Sequence, residues 1–306
     1  MKLLSYLINF IAIFAICIIA YLIYPFATDY HEYNDLYNCV NYPWSCPANI
    51  NIYNYSIGLR GFFIMLSWMK SFFLLELIVI VFTIYQLNIL ARKQNLNYLF
   101  ILIVFFAAFL KDYYLNAFTQ ALALSVIIFS LNQLSKKRIV LKILSSLIHI
   151  SSLFYFIKIN KRLFNILYLI IVINIFLFIT TNNTILSLLI NLSSIFIGDI
   201  SNKLNYYIEV KSYSEGIIPL VIKTFFFLIA YNTSYIRNSP YKSIYLFCFM
   251  VYSTFLTIDI LANRILSIGK IFEILAFASM LRVPHKKRKI ILSFTYMIIL
   301  ILINFI

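Results

Sequence analysis

A few short segments of this 306-residue chain carry residue types able to do chemistry on a polar substrate. The first is Thr28-Asp29-Tyr30-His31-Glu32-Tyr33-Asn34-Asp35-Leu36-Tyr37. Asp29, Glu32 and Asp35 recur at every third position, so a helical turn brings them near one face. Carboxylates among tyrosines grip sugar hydroxyls, supply a general base, or less readily hold a divalent cation. The plain alternative is a solvated cap with tyrosines at a membrane interface. The second segment joins Lys111 and Asp112 to Thr119-Gln120-Ala121-Leu122-Ala123. An amide inside a membrane must find hydrogen-bond partners, so Gln120 faces a cavity or bridges helices. The third is His149 in Leu147-Ile148-His149-Ile150-Ser151-Ser152. An imidazole there holds a phosphate, orients a base, or bonds a neighbouring helix. The fourth is Asp259-Ile260-Leu261-Ala262-Asn263-Arg264, followed by Lys270 and Glu273. The planar fork of Arg264 matches phosphate or carboxylate in two contacts. It either pairs with Asp259 as structure or stabilises a departing diphosphate. Arg60, Lys203 and Lys211 are further cations, each an interfacial charge or a ligand.

Composition says what must position these groups. Hydrophobic residues are 63% of the chain and charged residues 11%. No soluble core needs that much apolar surface, so an all-α polytopic membrane protein is expected. Irregular backbone is excluded from lipid because its polar groups would go unpaired, and a helix needs ~20 apolar residues to cross. About eleven spans follow, at 3–24, 61–90, 96–110, 115–134, 140–157, 163–180, 184–198, 217–236, 243–259, 263–281 and 290–306. Outer loops at 25–60 and 199–216 join them in one transmembrane domain, 1–306. The first run has no small-residue cleavage site after it and reads as a retained anchor.

The charges are unequal on the two sides. With the N-terminus inside, the cytoplasmic turns hold Lys2, Arg92-Lys93, Lys136-Lys137-Arg138, Arg237 and the run Lys286 to Lys289, with no carboxylate. The opposite turns mix Lys and Arg with nearly every Asp and Glu. This is a positive-inside arrangement, so the net charge of +15 speaks of topology and anionic headgroups rather than nucleic acid. Cys17 and Cys248 lie in apolar runs and read as packing residues. Cys39 and Cys46 flank six residues of the first outer loop and either form a disulfide or stay free. The chain has no Gly-rich phosphate loop, no His-Glu-x-x-His, no Gly-x-Ser-x-Gly and no Cys-x-x-Cys, and neither a metal nor a cofactor is expected.

In this order the pieces resemble the EpsG-like branch of Wzy-type polysaccharide polymerases. Asp29-Tyr30-His31-Glu32-Tyr33 matches that group's Asp-Tyr-x-x-Tyr element, and Gly61-Phe62 its Gly-aromatic pair opening the second helix. Thr119-Gln120-Ala121-Leu122-Ala123 stands where the group has Arg-Gln-x-Leu-Ala. Lys136-Lys137-Arg138 and Ile148-His149-Ile150-Ser151 follow, and Arg264 matches a late outer arginine. Two departures stand out: Thr119 replaces the usual Arg, and Leu59 the usual Glu, so if that Arg binds diphosphate, either Lys111 or Arg60 substitutes or the binding mode differs.

The resemblance implies a fold like the C-type glycosyltransferases. It implies polymerisation of undecaprenyl-diphosphate-linked oligosaccharide repeat units, for O-antigen or capsule, on the outer face of a bacterial inner membrane. Asp29, Arg264 and His149 would act in catalysis. Tyr30, Tyr33, Arg60, Lys111, Gln120, Lys203 and Lys211 would bind substrate, and a chain-length regulator would be a partner. The alternatives are a lipid-linked oligosaccharide flippase or other transporter, or another lipid-linked glycosyltransferase or O-antigen ligase. No internal repeat of the transporter kind is visible.

Overall fold

The computed structural model describes residues 2–23, 30–42, 44, 46–47, 50, 52, 55–185, 216–239, 241–257, 259–282 and 287–305. All regular structure among them is helical. The chain divides into two compact units, Met1–Leu153 with Ala278–Ile306, and Phe154–Phe277. Asp29, Lys203, Lys211, residues 186–198 of the expected span 184–198 and residues 199–215 of the loop 199–216 lie outside the described residues.

The first unit contains α1 (Lys2–Ile23), α2 (Tyr30–Asn41), α3 (Ile57–Met65), α4 (Phe72–Lys93), α5 (Tyr98–Phe109), a π-helical segment (Leu110–Leu115), α6 (Phe118–Leu131) and α7 (Ser135–Ile148). A short 3₁₀ segment begins at Ile150. Local signals set several starts: Asn97 caps α5 by accepting from the Phe100 N–H at 3.0 Å. Helices α4 and α6 run parallel. Their contacts descend in step, from Phe72 on Phe118 (ring centroids 5.1 Å) through Thr83 to Ser125 (2.7 Å) to Gln86 and Asn132 (2.9 Å). The Tyr114 hydroxyl joins Thr83 at 2.9 Å and Ser125 at 3.1 Å, fastening the π segment between the two helices. Helix α7 packs on α6, where the Ser145 hydroxyl donates to Ala123 O at 2.9 Å.

Two expected spans are interrupted. The run 61–90 is two helices, because the chain turns between Met65 and Phe72. The buried Tyr37 hydroxyl lies 2.7 Å from Leu66 O, which also accepts from the Met69 N–H, and 2.6 Å from Met69 O, so a distant side chain supplies a donor to the turn. Burial pushes the Tyr37 phenol above its usual range, which keeps its proton in place for that contact. The run 140–157 also breaks: α7 ends at Ile148, and His149 is extended at φ −146°, ψ 126°. His149 is therefore a helix-ending residue rather than a mid-span one.

The second unit contains α8 (Lys161–Thr181), α9 (Ile217–Asn232), the single turn α10 (Ser234–Arg237), α11 (Lys242–Thr254) and most of α12 (Asp259–Met280). Helix α13 (Lys287–Phe305) returns to the first unit, packing on α5. Left-handed Asn182 (φ 55°) stops α8. Phe227 stacks on Phe249 with centroids 3.8 Å apart.

Two described helices are long and apolar enough to cross a membrane, Phe72–Lys93 and Leu163–Thr181; Ile13–Leu22, Tyr98–Phe109, Phe118–Leu131 and Ile217–Asn232 are apolar but shorter. Helix α8 is the more telling. Its stretch Leu163–Thr181 is strongly apolar, yet Ile166, Leu169, Val172, Phe176 and Ile179 are exposed. A soluble core helix buries such residues, and an exposed apolar face of this length is a liability in water.

Candidate functional site

The constellation lies in the first unit, where α2, α3, the first turn of α6 and the end of α7 meet. Helix α2 delivers the tyrosines. Tyr30 opens it, buried, with its ring 5.4 Å from Phe72. One turn on, the Tyr33 ring stacks on Phe72 and its hydroxyl meets Thr119 Oγ1 at 2.6 Å. Thr119, standing where the resembled family carries Arg, thus couples α2 to the start of α6.

Gln120, the next residue, reaches the end of α7: its Nε2 lies 3.4 Å from His149 Nε2. On the far side of the ring, Nδ1 lies 2.6 Å from Ser151 Oγ and accepts from the Ser151 N–H at 3.3 Å. With Nδ1 the acceptor, Nε2 carries the proton. Turning the Gln120 amide end for end then lets Oε1, otherwise a buried oxygen without a partner, accept that proton. The imidazole is held at both nitrogens while remaining only partly buried.

Helix α3 closes this corner by direct backbone contact. Its N-cap Ser56 accepts from Leu59 N and donates its hydroxyl to Ile148 O at 2.5 Å. Two residues on, a Cβ at Gly58 would sit 2.6 Å from Ile148 N and from Leu147 C. Only glycine lets the two backbones approach so closely. Gly61, the glycine of the resembled motif, has nothing near its would-be Cβ and lies within α3 rather than opening it. Arg60 is half-buried on the same helix, two residues beyond the contact.

Of the carboxylates, Glu32 is exposed on α2 and accepts a short hydrogen bond from the Tyr55 hydroxyl. Cys39 and Cys46 are joined by a disulfide that ties the end of α2 to the following loop. No group of three His, Cys, Asp or Glu among the described residues could hold a metal ion. Lys111 is exposed in the π segment that leads into α6.

Arg264 belongs to the second unit and is exposed on α12, where Ser267 donates to its carbonyl. Its neighbour Asn263 accepts a hydrogen bond from Lys223 of α9, whose ammonium also lies 5.5 Å from the centre of the Tyr252 ring. Deeper in the unit, the Tyr245 hydroxyl donates to the buried Glu273 carboxylate at 2.6 Å.

The structure thus brings Tyr30, Tyr33, Gln120 and His149 together. Sequence reasoning missed Ser56, Gly58 and Lys223, and noted Ser151 without assigning it a partner. Ser56-x-Gly58 was the available signal, a pair of small residues where helices pack closely.

A sequence model described as the EpsG family matches residues 5–306. No curated protein and no solved structure matches the chain.

Proposed function

Because this chain belongs to the EpsG family, we propose that it is a membrane-embedded polysaccharide polymerase. It joins undecaprenyl-diphosphate-linked oligosaccharide repeat units on the outer face of a bacterial inner membrane. The observation that carries this reading is the Tyr33–Thr119 and Gln120–His149 pairing, which fixes aromatic, amide and imidazole groups at one corner. Such groups suit sugar hydroxyls and ring faces. The exposed apolar faces of α8 and its shorter companions suit lipid, within a multi-pass body of about eleven crossings.

In the reaction, an acceptor sugar hydroxyl attacks the anomeric carbon of the donor. The bond from that carbon to the diphosphate oxygen breaks, and its electron pair leaves with the lipid diphosphate. The hydroxyl proton passes to a carboxylate, the role assigned to Asp29. Negative charge grows on the leaving group, and fixed cations lower that barrier most where water is scarce. Lys111, Arg60 and Arg264 are the cations assigned to it, with Lys203 and Lys211 in support. Gln120 and His149 orient the sugar. A chain-length regulator is a further expected partner.

The test is genetic and chemical. In a host lacking its own copy, Gln120→Ala, His149→Ala, Asp29→Asn and Arg264→Ala should each leave single repeat units but reduce long glycan by ten-fold or more. Normal ladders in the Gln120 and His149 variants would overturn the reading. Transport of repeat units without polymer in the wild type would favour a flippase instead.

A further inference from the structure

The first unit contains a cavity of about 480 Å³ bounded by α1, α5 and α13. Ile16, Ile19, Leu102, Ile103, Leu110 and Ile301 are among the side chains that line it, and every lining side chain is hydrocarbon. Its size falls within the ~300–1,000 Å³ of ligand sites, but those carry a few fixed polar groups and this one has none. Ile19 and Ile103 remain 39% and 40% exposed, so the groove is open along one side. An open, purely hydrocarbon slot suits a flexible chain rather than a compact solute.

One end of the groove is chemically different. Leu110 is both a lining residue and the first residue of the π segment, and the next residue, Lys111, is exposed. Helix α1 packs on this segment, and π turns inside helical proteins recur at functional positions. The segment ends at Leu115, and α6 begins at Phe118, whose neighbours Thr119 and Gln120 contact Tyr33 and His149. The groove therefore runs from apolar walls to a cation, and from the cation the chain leads directly into the candidate site.

We propose that this groove holds the isoprenoid tail of the lipid-linked substrate, with its diphosphate at Lys111 and its sugar carried toward Gln120 and His149. The occupant follows from the order apolar slot, ammonium, sugar-binding corner. A carrier lipid has those parts in the same order, and a bulk phospholipid has no use for the third. The proposal rests on the polymerase reading for the identity of the substrate, but binding can be measured without turnover.

The experiment uses the full chain in nanodiscs of phosphatidylcholine and phosphatidylglycerol, with sugar-free undecaprenyl diphosphate as the probe and native mass spectrometry as the readout. Wild type should retain the probe in preference to phosphatidylglycerol and to undecaprenol. Ala15→Trp, which fills the groove from its exposed side, should lower retention about ten-fold. Lys111→Ala should abolish the preference over undecaprenol. A photoreactive undecaprenyl diphosphate on the unmodified protein should label α1, α5 or α13, which guards against a variant that fails to fold. Labelling only elsewhere, or equal retention by wild type and a folded Ala15→Trp, would overturn the groove. So would equal retention of phosphatidylglycerol, which would make the slot an ordinary lipid contact. Carrier binding without glycan ladders would sink the polymerase reading alone.

Discussion

Each compact unit buries a glutamate inside a helix, and the two are treated differently. Glu273 of α12, 6% exposed, receives the hydroxyl of Tyr245, which is itself fully buried against Phe227. Glu76 of α4 is 1% exposed, and neither of its oxygens has a hydrogen-bond partner among the described residues. Leaving a buried polar group unpaired costs several times what a made hydrogen bond contributes. The second unit has paired its acid and uses it to hold α11 against α12. The first unit retains an acid at a cost. It lies on the buried face of α4 between Phe72 and Thr83, two of the residues with which α4 meets the start and middle of α6. Packing does not account for Glu76, whereas it does account for Glu273.

The same contrast appears in the glycines. At Gly58 a Cβ would strike backbone atoms of α7, which cannot yield without moving a helix. At Gly269 of α12 it would meet Cys248 Cβ at 3.1 Å and the Tyr245 ring at 3.3 Å, which can shift by a few tenths of an ångström. Gly58→Ala should therefore have the largest effect, about 3 kcal/mol or more of destabilisation with loss of polymer, measured by thermal melting in detergent. A small loss there would remove the close α3–α7 contact. Tyr245→Phe should come next, costing about 1–3 kcal/mol because a buried carboxylate loses its donor. Gly269→Ala should cost about 1 kcal/mol; a cost equal to that at Gly58 would erase the distinction between the units. Glu76→Leu should be the mildest, with stability unchanged or raised by up to about 1 kcal/mol. A loss as large as that of Tyr245→Phe would mean that Glu76 is held as firmly as Glu273. As an internal control, Gly61→Ala should stabilise α3 by about 0.5–1 kcal/mol, since nothing opposes its Cβ.

Much of the helical layout was legible. The expected spans 96–110 and 163–180 correspond to Tyr98–Phe109 and Lys161–Thr181, because apolar runs bounded by Asn97, Asn160 and Asn182 carry their own caps. Tyr30, Tyr33, Gln120 and His149 were legible as candidates by type and order. Their pairings were not. Thr119 read as a missing arginine, yet its hydroxyl bonds Tyr33 from 86 positions away. Gly61 drew attention through its motif, while the glycine that matters for packing, Gly58, sits three residues earlier, marked locally by no more than its pairing with Ser56. The break after Met65 was invisible because Tyr37, 29 and 32 residues from the carbonyls it contacts, is what stabilises it.

The amino-acid sequence by itself determined that the chain is helical, that its long runs are strongly apolar, and that the turns expected inside carry cations without carboxylates. Those properties depend on composition and on neighbours within one helical turn, where the physics is local. Only the tertiary structure decided where the long runs break, that His149 ends a helix and faces Gln120, that α3 touches α7 backbone to backbone, and which buried glutamate is satisfied. Each of those is a balance between a group's desolvation and a partner remote in the chain, and no local pattern records whether that partner arrives.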